Sequence, residues 1–251
     1  MTSIPSGKNG TILVTGADGF LGSNVVRQLL ASGYRVRAMQ QPGRDTGNLD
    51  NLAVESMTSD ILVETDRRRV LSGVHAVIHT IASTSVWPSR DPFLWKLNHE
   101  IPVSFAREAR QAGVARFIHV GTANSFAAGT LSAPGTEEGG YDALRFGLDY
   151  QDSKRIAQES LLGLGDAGPE IVVVNPSFMF GPFDSKPGSG EMIIKVAHGK
   201  VPGNSPGGRC FADVRNVARG IAAVLEKGVP GRCYILGGEN LSYRQIFDLI
   251  G

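Results

Sequence analysis

Tyr150-Gln151-Asp152-Ser153-Lys154 puts a phenol and an ammonium four residues apart at the start of a stretch with helical periodicity. At that spacing both side chains stand on one helix face. An ammonium beside a phenol favours phenolate and lowers the tyrosine pKa. Such a tyrosine moves protons near neutral pH, which an ordinary one, with a pKa of about 10, does poorly. The competing reading is an amphipathic helix in which the spacing is chance. A third group follows the apolar run Arg116–Val120, in Gly121-Thr122-Ala123-Asn124-Ser125. Thr122, at the carboxyl end of a strand, offers a hydroxyl donor to a carbonyl or alkoxide oxygen. Asn124 and Ser125 are alternative donors, and a hydroxyl that only satisfies its own loop is the plainer reading.

Chemistry of this kind needs an electron carrier, and the chain opens with a turn suited to hold one. Thr15-Gly16-Ala17-Asp18-Gly19-Phe20-Leu21-Gly22 joins the strand Thr11–Val14 to a helical stretch Leu21–Ala31. Gly16 permits a tight turn, Gly19 lets backbone approach a pyrophosphate, and Gly22 lets the helix pack close to the sheet. The helix N-terminus then offers free N–H groups and a favourable dipole to phosphate. The G-x-x-G-x-x-G spacing is one residue longer than the usual dinucleotide fingerprint. In the second strand, Arg37-Ala38-Met39-Gln40-Gln41-Pro42-Gly43-Arg44 carries no acid to repel a 2′-phosphate. Arg37 and Arg44 are candidates to pair with one, which leans the cofactor toward NADP with NAD as the alternative. Solvated surface arginines are the other reading.

The elements that must position these groups recur along the chain. Candidate strands are Thr11–Val14, Arg35–Met39, Val54–Met57, Ala76–His79, Arg116–Val120, Ile171–Val174 and Cys233–Leu236. Candidate helices are Leu21–Ala31, Thr65–Leu71, Phe93–Ala112, Tyr150–Leu162, Glu191–His198 and Arg215–Glu226. This alternation predicts an α/β fold with a doubly wound parallel sheet of Rossmann type. Residues 1–175 read as the dinucleotide-binding domain with the catalytic groups. Residues 176–251 read as a small substrate-side region with the last sheet strands. Its end at Gly251, just inside the helical pattern Leu241–Ile250, looks truncated.

Composition excludes other classes. The 25 Lys+Arg against 24 Asp+Glu leave a net charge of +1, no footprint for nucleic acid. No apolar run approaches the ~20 residues that cross a bilayer. Cys210 and Cys233 make neither a disulfide framework nor a metal motif, and Met1–Gly10 lacks a signal-peptide pattern, so a cytoplasmic location is expected. His75, His99 and His198 show no metal spacing. Arg67-Arg68-Arg69 reads as a solvated helix face. Trp87 and Phe183 are candidates to line a substrate pocket, while Trp95 and Met179 read as core.

Together these residues resemble the extended short-chain dehydrogenase/reductase superfamily, in its NAD(P)-dependent epimerase/dehydratase and dihydroflavonol-reductase-like branches. The resemblance runs from about Thr11 to the end of the chain. It implies that Tyr150 is the catalytic acid/base, that Lys154 tunes it and holds the nicotinamide ribose, and that Thr122 takes the family's Ser/Thr place. By the same resemblance Gly16, Gly19, Phe20, Leu21 and Gly22 hold the cofactor. Asp60-Ile61 contacts the adenine, Thr80 to Ala82 runs beneath the cofactor, Asn98 is the family's helix asparagine, and Asn175-Pro176-Ser177 closes over the nicotinamide. Gln41 stands where NADP-using reductases of this type often carry Arg. Thr122-Ala123-Asn124 lacks the Asp-Glu of the 4,6-dehydratases, and Asn175-Pro176-Ser177 is more reductase-like than the Arg-Pro of many sugar-nucleotide epimerases. Arg209 sits near the diphosphate-binding arginine of sugar-nucleotide enzymes. The expected function is NAD(P)-dependent oxidoreduction of a small-molecule carbonyl or secondary alcohol. A nucleotide-sugar epimerase with tightly bound NAD and a non-catalytic NAD(P)-binding regulator are the alternatives. By resemblance the family often dimerises, which makes a homodimer an expected partner.

Overall fold

The computed structural model describes residues 10–43, 47–85, 91–203 and 205–251. In chain order, β1 (Thr11–Thr15) leads through the glycine turn to α1 (Phe20–Ala31), then β2 (Arg35–Gln40), β3 (Glu55–Thr58), α2 (Glu64–Leu71) and β4 (Val74–His79). Next come α3 (Pro92–Trp95), a π-helical turn over Lys96–Glu100, α4 (Ile101–Gln111), β5 (Arg116–Val120), α5 (Asp149–Leu162) and β6 (Glu170–Pro176). The chain finishes with β7 (Phe178–Phe180), α6 (Gly190–Ala197), β8 (Gly208–Asp213), α7 (Val214–Lys227), β9 (Cys233–Leu236), β10 (Glu239–Ser242) and α8 (Tyr243–Ile250).

Seven strands form one parallel sheet in the order β3-β2-β1-β4-β5-β6-β9. The central strands are buried on both faces, as their Val/Ile-rich runs require. One face carries α1 and α7, which pack Val25, Leu29, Val217 and Ile221 against Ile12, Ile78 and Val172. The other carries α2, α4 and α5, with Phe105, Phe117 and Leu161 at its centre. The strand order reverses between β1 and β4, so the crevice at their carboxyl ends is the place where such sheets bind ligands. This is the expected doubly wound Rossmann-type fold.

Three features differ from the sequence expectation. The single helix expected over Phe93–Ala112 is three pieces. Pro102 sits in the first turn of α4; it has no N–H to give, and its ring crowds the carbonyl four residues back. The π turn at Lys96–Glu100 widens the helix there, which places Asn98 inward. Second, β7, β8 and β10 build a separate three-stranded sheet that such short segments did not signal. The expected helix Leu241–Ile250 begins only at Tyr243, because Ser242 and Gln245 form a reciprocal capping box. Third, Arg67 is not on a solvated face: it is buried and forks onto Glu108 at 2.7 and 2.9 Å. Arg68 and Arg69 do stay at the surface, paired with Glu64 and Asp66.

Candidate active site

The glycine turn is built around close backbone contact. Gly16 has φ +64°, and a Cβ there would lie 2.9 Å from Thr80 Oγ1. A Cβ on Gly22 would stand 2.0 Å from the Gly16 carbonyl oxygen, so α1 packs against the turn only with glycine at that position. Gly19 caps α1 without any side-chain hydrogen bond, and no acidic residue occupies the first turn. The N–H groups of the first helical turn, at Phe20, Leu21 and Gly22, therefore have no intrahelical or capping partner, which fits a bound phosphate.

Neighbouring segments frame this turn. Thr80 Oγ1 donates to Thr15 O at 2.6 Å and ties the segment after β4 to β1. Asn98 is wholly buried: it accepts from Ser83 N at 2.8 Å and donates to Ser83 O and Ser153 Oγ. It thus joins the stretch beyond Ala82 to α5. Asp60 accepts from Leu62 N at 2.9 Å, next to buried Ile61. Asn48, which the sequence reading passed over, is buried above the turn. Its Nδ2 lies within hydrogen-bond distance of Asp18 O (3.0 Å), Phe183 O (3.1 Å) and Ser185 Oγ (3.2 Å). No local signal marks it, because its partners are 30, 135 and 137 residues away. At the end of β2, Gln41 is exposed. Arg37 is engaged elsewhere, with Glu55 and the carbonyls of Val70 and Ser72. Arg44 and Trp87 lie outside the described residues.

Thr122 and Tyr150 meet across two elements. The end of β5 delivers Thr122, whose Oγ1 accepts from Asn124 N at 3.3 Å while its N–H is taken by Asn175 Oδ1 at 3.0 Å. The first turn of α5 delivers Tyr150. Burial raises the phenol above its ordinary pKa, while a hydrogen bond from the Thr122 side chain and the charge of Arg209 pull it down. Arg209 stacks over Phe178, its guanidinium carbon 4.8 Å from the ring centroid. Of the other donors considered, Asn124 is exposed, while Ser125 is fully buried with its carbonyl bonded to Arg155. Phe183 packs over α1 beneath Arg27, 3.5 Å from the guanidinium to the ring centroid.

Lys154, on the same helix, lies inside the molecule. Its ammonium is buried and donates to Val120 O at 2.5 Å, with His119 Nε2 at 3.4 Å. Burial lowers its pKa to about 7. Burial keeps the Tyr150 phenol raised rather than depressed. Behind Lys154, His119 stacks on His79, which bonds Thr15 Oγ1 at 2.9 Å. Both imidazoles are held neutral, His79 down to about 3, first by burial and then by the Lys154 charge. Ser177 Oγ is buried with no hydrogen-bond partner among the described residues. A buried hydroxyl left so costs about 1–3 kcal/mol, a state that persists where a ligand completes it.

A profile of the NAD dependent epimerase/dehydratase family matches residues 12–237. The chain belongs to that family. The family lies within the extended short-chain dehydrogenase/reductase superfamily, as the resemblance implied. Among its relatives is sterol demethylase protein B of Methylococcus capsulatus, 34% identical over 241 residues, covering 95% of this chain and 73% of the relative. A putative dihydroflavonol 4-reductase of Synechocystis is 32% identical over 240 residues, covering 93% and 69%. The crystal structure of gox2253 superposes with a TM-score of 0.88 at 32% identity, covering 96% of this chain and 74% of that one. Among the described residues no helix of this epimerase/dehydratase-family protein is long and apolar enough to cross a membrane. Among them, too, no three His, Cys, Asp or Glu side chains group to hold a metal.

Proposed function

We propose that this family member is an oxidoreductase that interconverts a small-molecule carbonyl and its secondary alcohol, with Tyr150 as the general acid/base. The observation that carries this reading is the Thr122–Tyr150 hydroxyl pair, set by β5 and α5 at the carboxyl edge of the sheet. A bound nicotinamide dinucleotide would supply or accept the hydride. Every other part is done by the chain. The glycine turn and the N-terminus of α1 hold the diphosphate. Thr122 donates to the substrate oxygen. Tyr150, protonated at neutral pH as an ordinary phenol is, gives its proton to that oxygen in reduction and takes it back in oxidation. Lys154 and Ser177 are the groups proposed to face the nicotinamide side of the cofactor. We take NADPH as the preferred carrier, since the sequence from Arg35 through exposed Gln41 to Arg44 carries no acid to repel a 2′-phosphate.

Arg209 favours a second reading. Its cation sits close enough to act on the Tyr150 phenol, so a substrate with an anionic group, such as a nucleotide sugar, fits the same mouth. Titration of the purified protein with NADPH and NADH, followed by a carbonyl screen with the cofactor that binds, tests the proposal. Exchangeable NADPH and turnover support the reductase. NAD that is released only on denaturation supports the epimerase.

A further inference from the structure

We propose that Asn175 is a positioning residue: its carboxamide holds the backbone of Thr122 and thereby sets the Thr122 hydroxyl against the Tyr150 phenol. The inference rests on the catalytic reading above and gives Asn175 a task other than contact with a cofactor. The backbone ladder between β5 and β6 runs out at Gly121, whose N–H donates to Val174 O at 2.7 Å. The next N–H, that of Thr122, goes to Asn175 Oδ1 at 3.0 Å. A side chain thus takes over where the strand pairing stops and the chain bends into the short helical turn Ala123–Ser125. Asn175 is fully buried, so this bond is shielded from water.

Two neighbours show that the contact is built. A Cβ on Gly121 would come within 2.2 Å of Asn175 Oδ1, so glycine before Thr122 leaves the room that the carboxamide fills. Pro176 restricts the preceding Asn175 to extended backbone and so fixes the origin of its side chain. Leucine at 175 keeps the volume but strands the buried Thr122 N–H. That leaves the loop free to turn and the hydroxyl to leave the phenol.

The test uses isotope-labelled tyrosine and follows the Tyr150 phenol by NMR as pH is raised, with Tyr150→Phe to assign the signal. In Asn175→Leu, the Tyr150 midpoint should rise by on the order of one unit. In a Thr122→Val background the same substitution should add nothing, a coupling that a merely structural role would not produce. If Asn175→Leu fails to fold, Asn175→Ser, with a shorter acceptor, is read the same way and should give a smaller rise. An unchanged midpoint in a folded variant, or an equal shift without the Thr122 hydroxyl, overturns the proposal. So does a ten-fold loss of NADPH affinity with no shift, which would make Asn175 a cofactor contact. The titration needs no substrate. Turnover that survives Tyr150→Phe would therefore sink the catalytic reading while leaving this result to stand or fall separately.

Discussion

Lys154 carries an ammonium inside the molecule, and that has a measurable cost. Its pKa falls from 10.5 to about 7 by burial, so between those values the unfolded chain binds a proton the native one has released. Stability therefore rises with pH across this window, and below it the full penalty is present. Replacement by methionine should stabilise the protein by a few kcal/mol at neutral pH. The gain should shrink toward pH 10, as denaturant melts at several pH values would show. A lysine kept at such a cost points to a role in the site. At this scale the sequence showed Tyr150, Lys154 and Thr122 through type and spacing. It did not show which way Lys154 points, because that depends on the Val120 carbonyl and His119, both on β5. Asn175 shows the same limit. Its partner Thr122 lies 53 residues away, and only strand pairing brings the two together.

The elements were legible where periodicity was strong. The parallel strands and their helices read directly, since apolar runs bounded by glycine have few other solutions. The small sheet was not, because β7 and β10 are three and four residues long and gain their pairing from β8. Nor was the buried fork of Arg67 on Glu108, which depends on α2 packing against α4. Arg67→Ala strands Glu108 and should cost about 3–5 kcal/mol, whereas the paired change to Met at both positions should cost far less. Denaturant unfolding of the single and double variants distinguishes the two cases. The turn before α1 makes an equally definite demand. Gly22→Ala should abolish cofactor binding, since its methyl would overlap the Gly16 carbonyl. Above that turn Asn48 links Asp18 to the loop at Phe183 and Ser185. Loss of its hydrogen bonds in Asn48→Ala should weaken NADPH binding about ten-fold by calorimetry.

On the scale of the whole molecule, two helical layers close over one sheet, whose strand order reverses between β1 and β4, where sheets of this kind open a crevice for ligands. The interior beneath that crevice holds two neutral histidines, stacked with centroids 5.8 Å apart. Their pKa values lie below the ordinary 6.5, to about 3 for His79. The unfolded chain therefore binds protons that the native chain refuses, and stability should fall as pH drops below about 6.5. His79→Phe should reduce that acid sensitivity, as melting curves from pH 7 to 4 would reveal. The central claim joins the crevice to the hydroxyl pair: a cofactor held by the glycine turn and a proton handled by Tyr150. Its most direct test compares wild type and Tyr150→Phe, with NADPH binding by calorimetry and turnover on the best carbonyl from the screen. The expected result is unchanged affinity with turnover lowered by roughly 100- to 10,000-fold. Equal turnover in the two proteins would contradict the account.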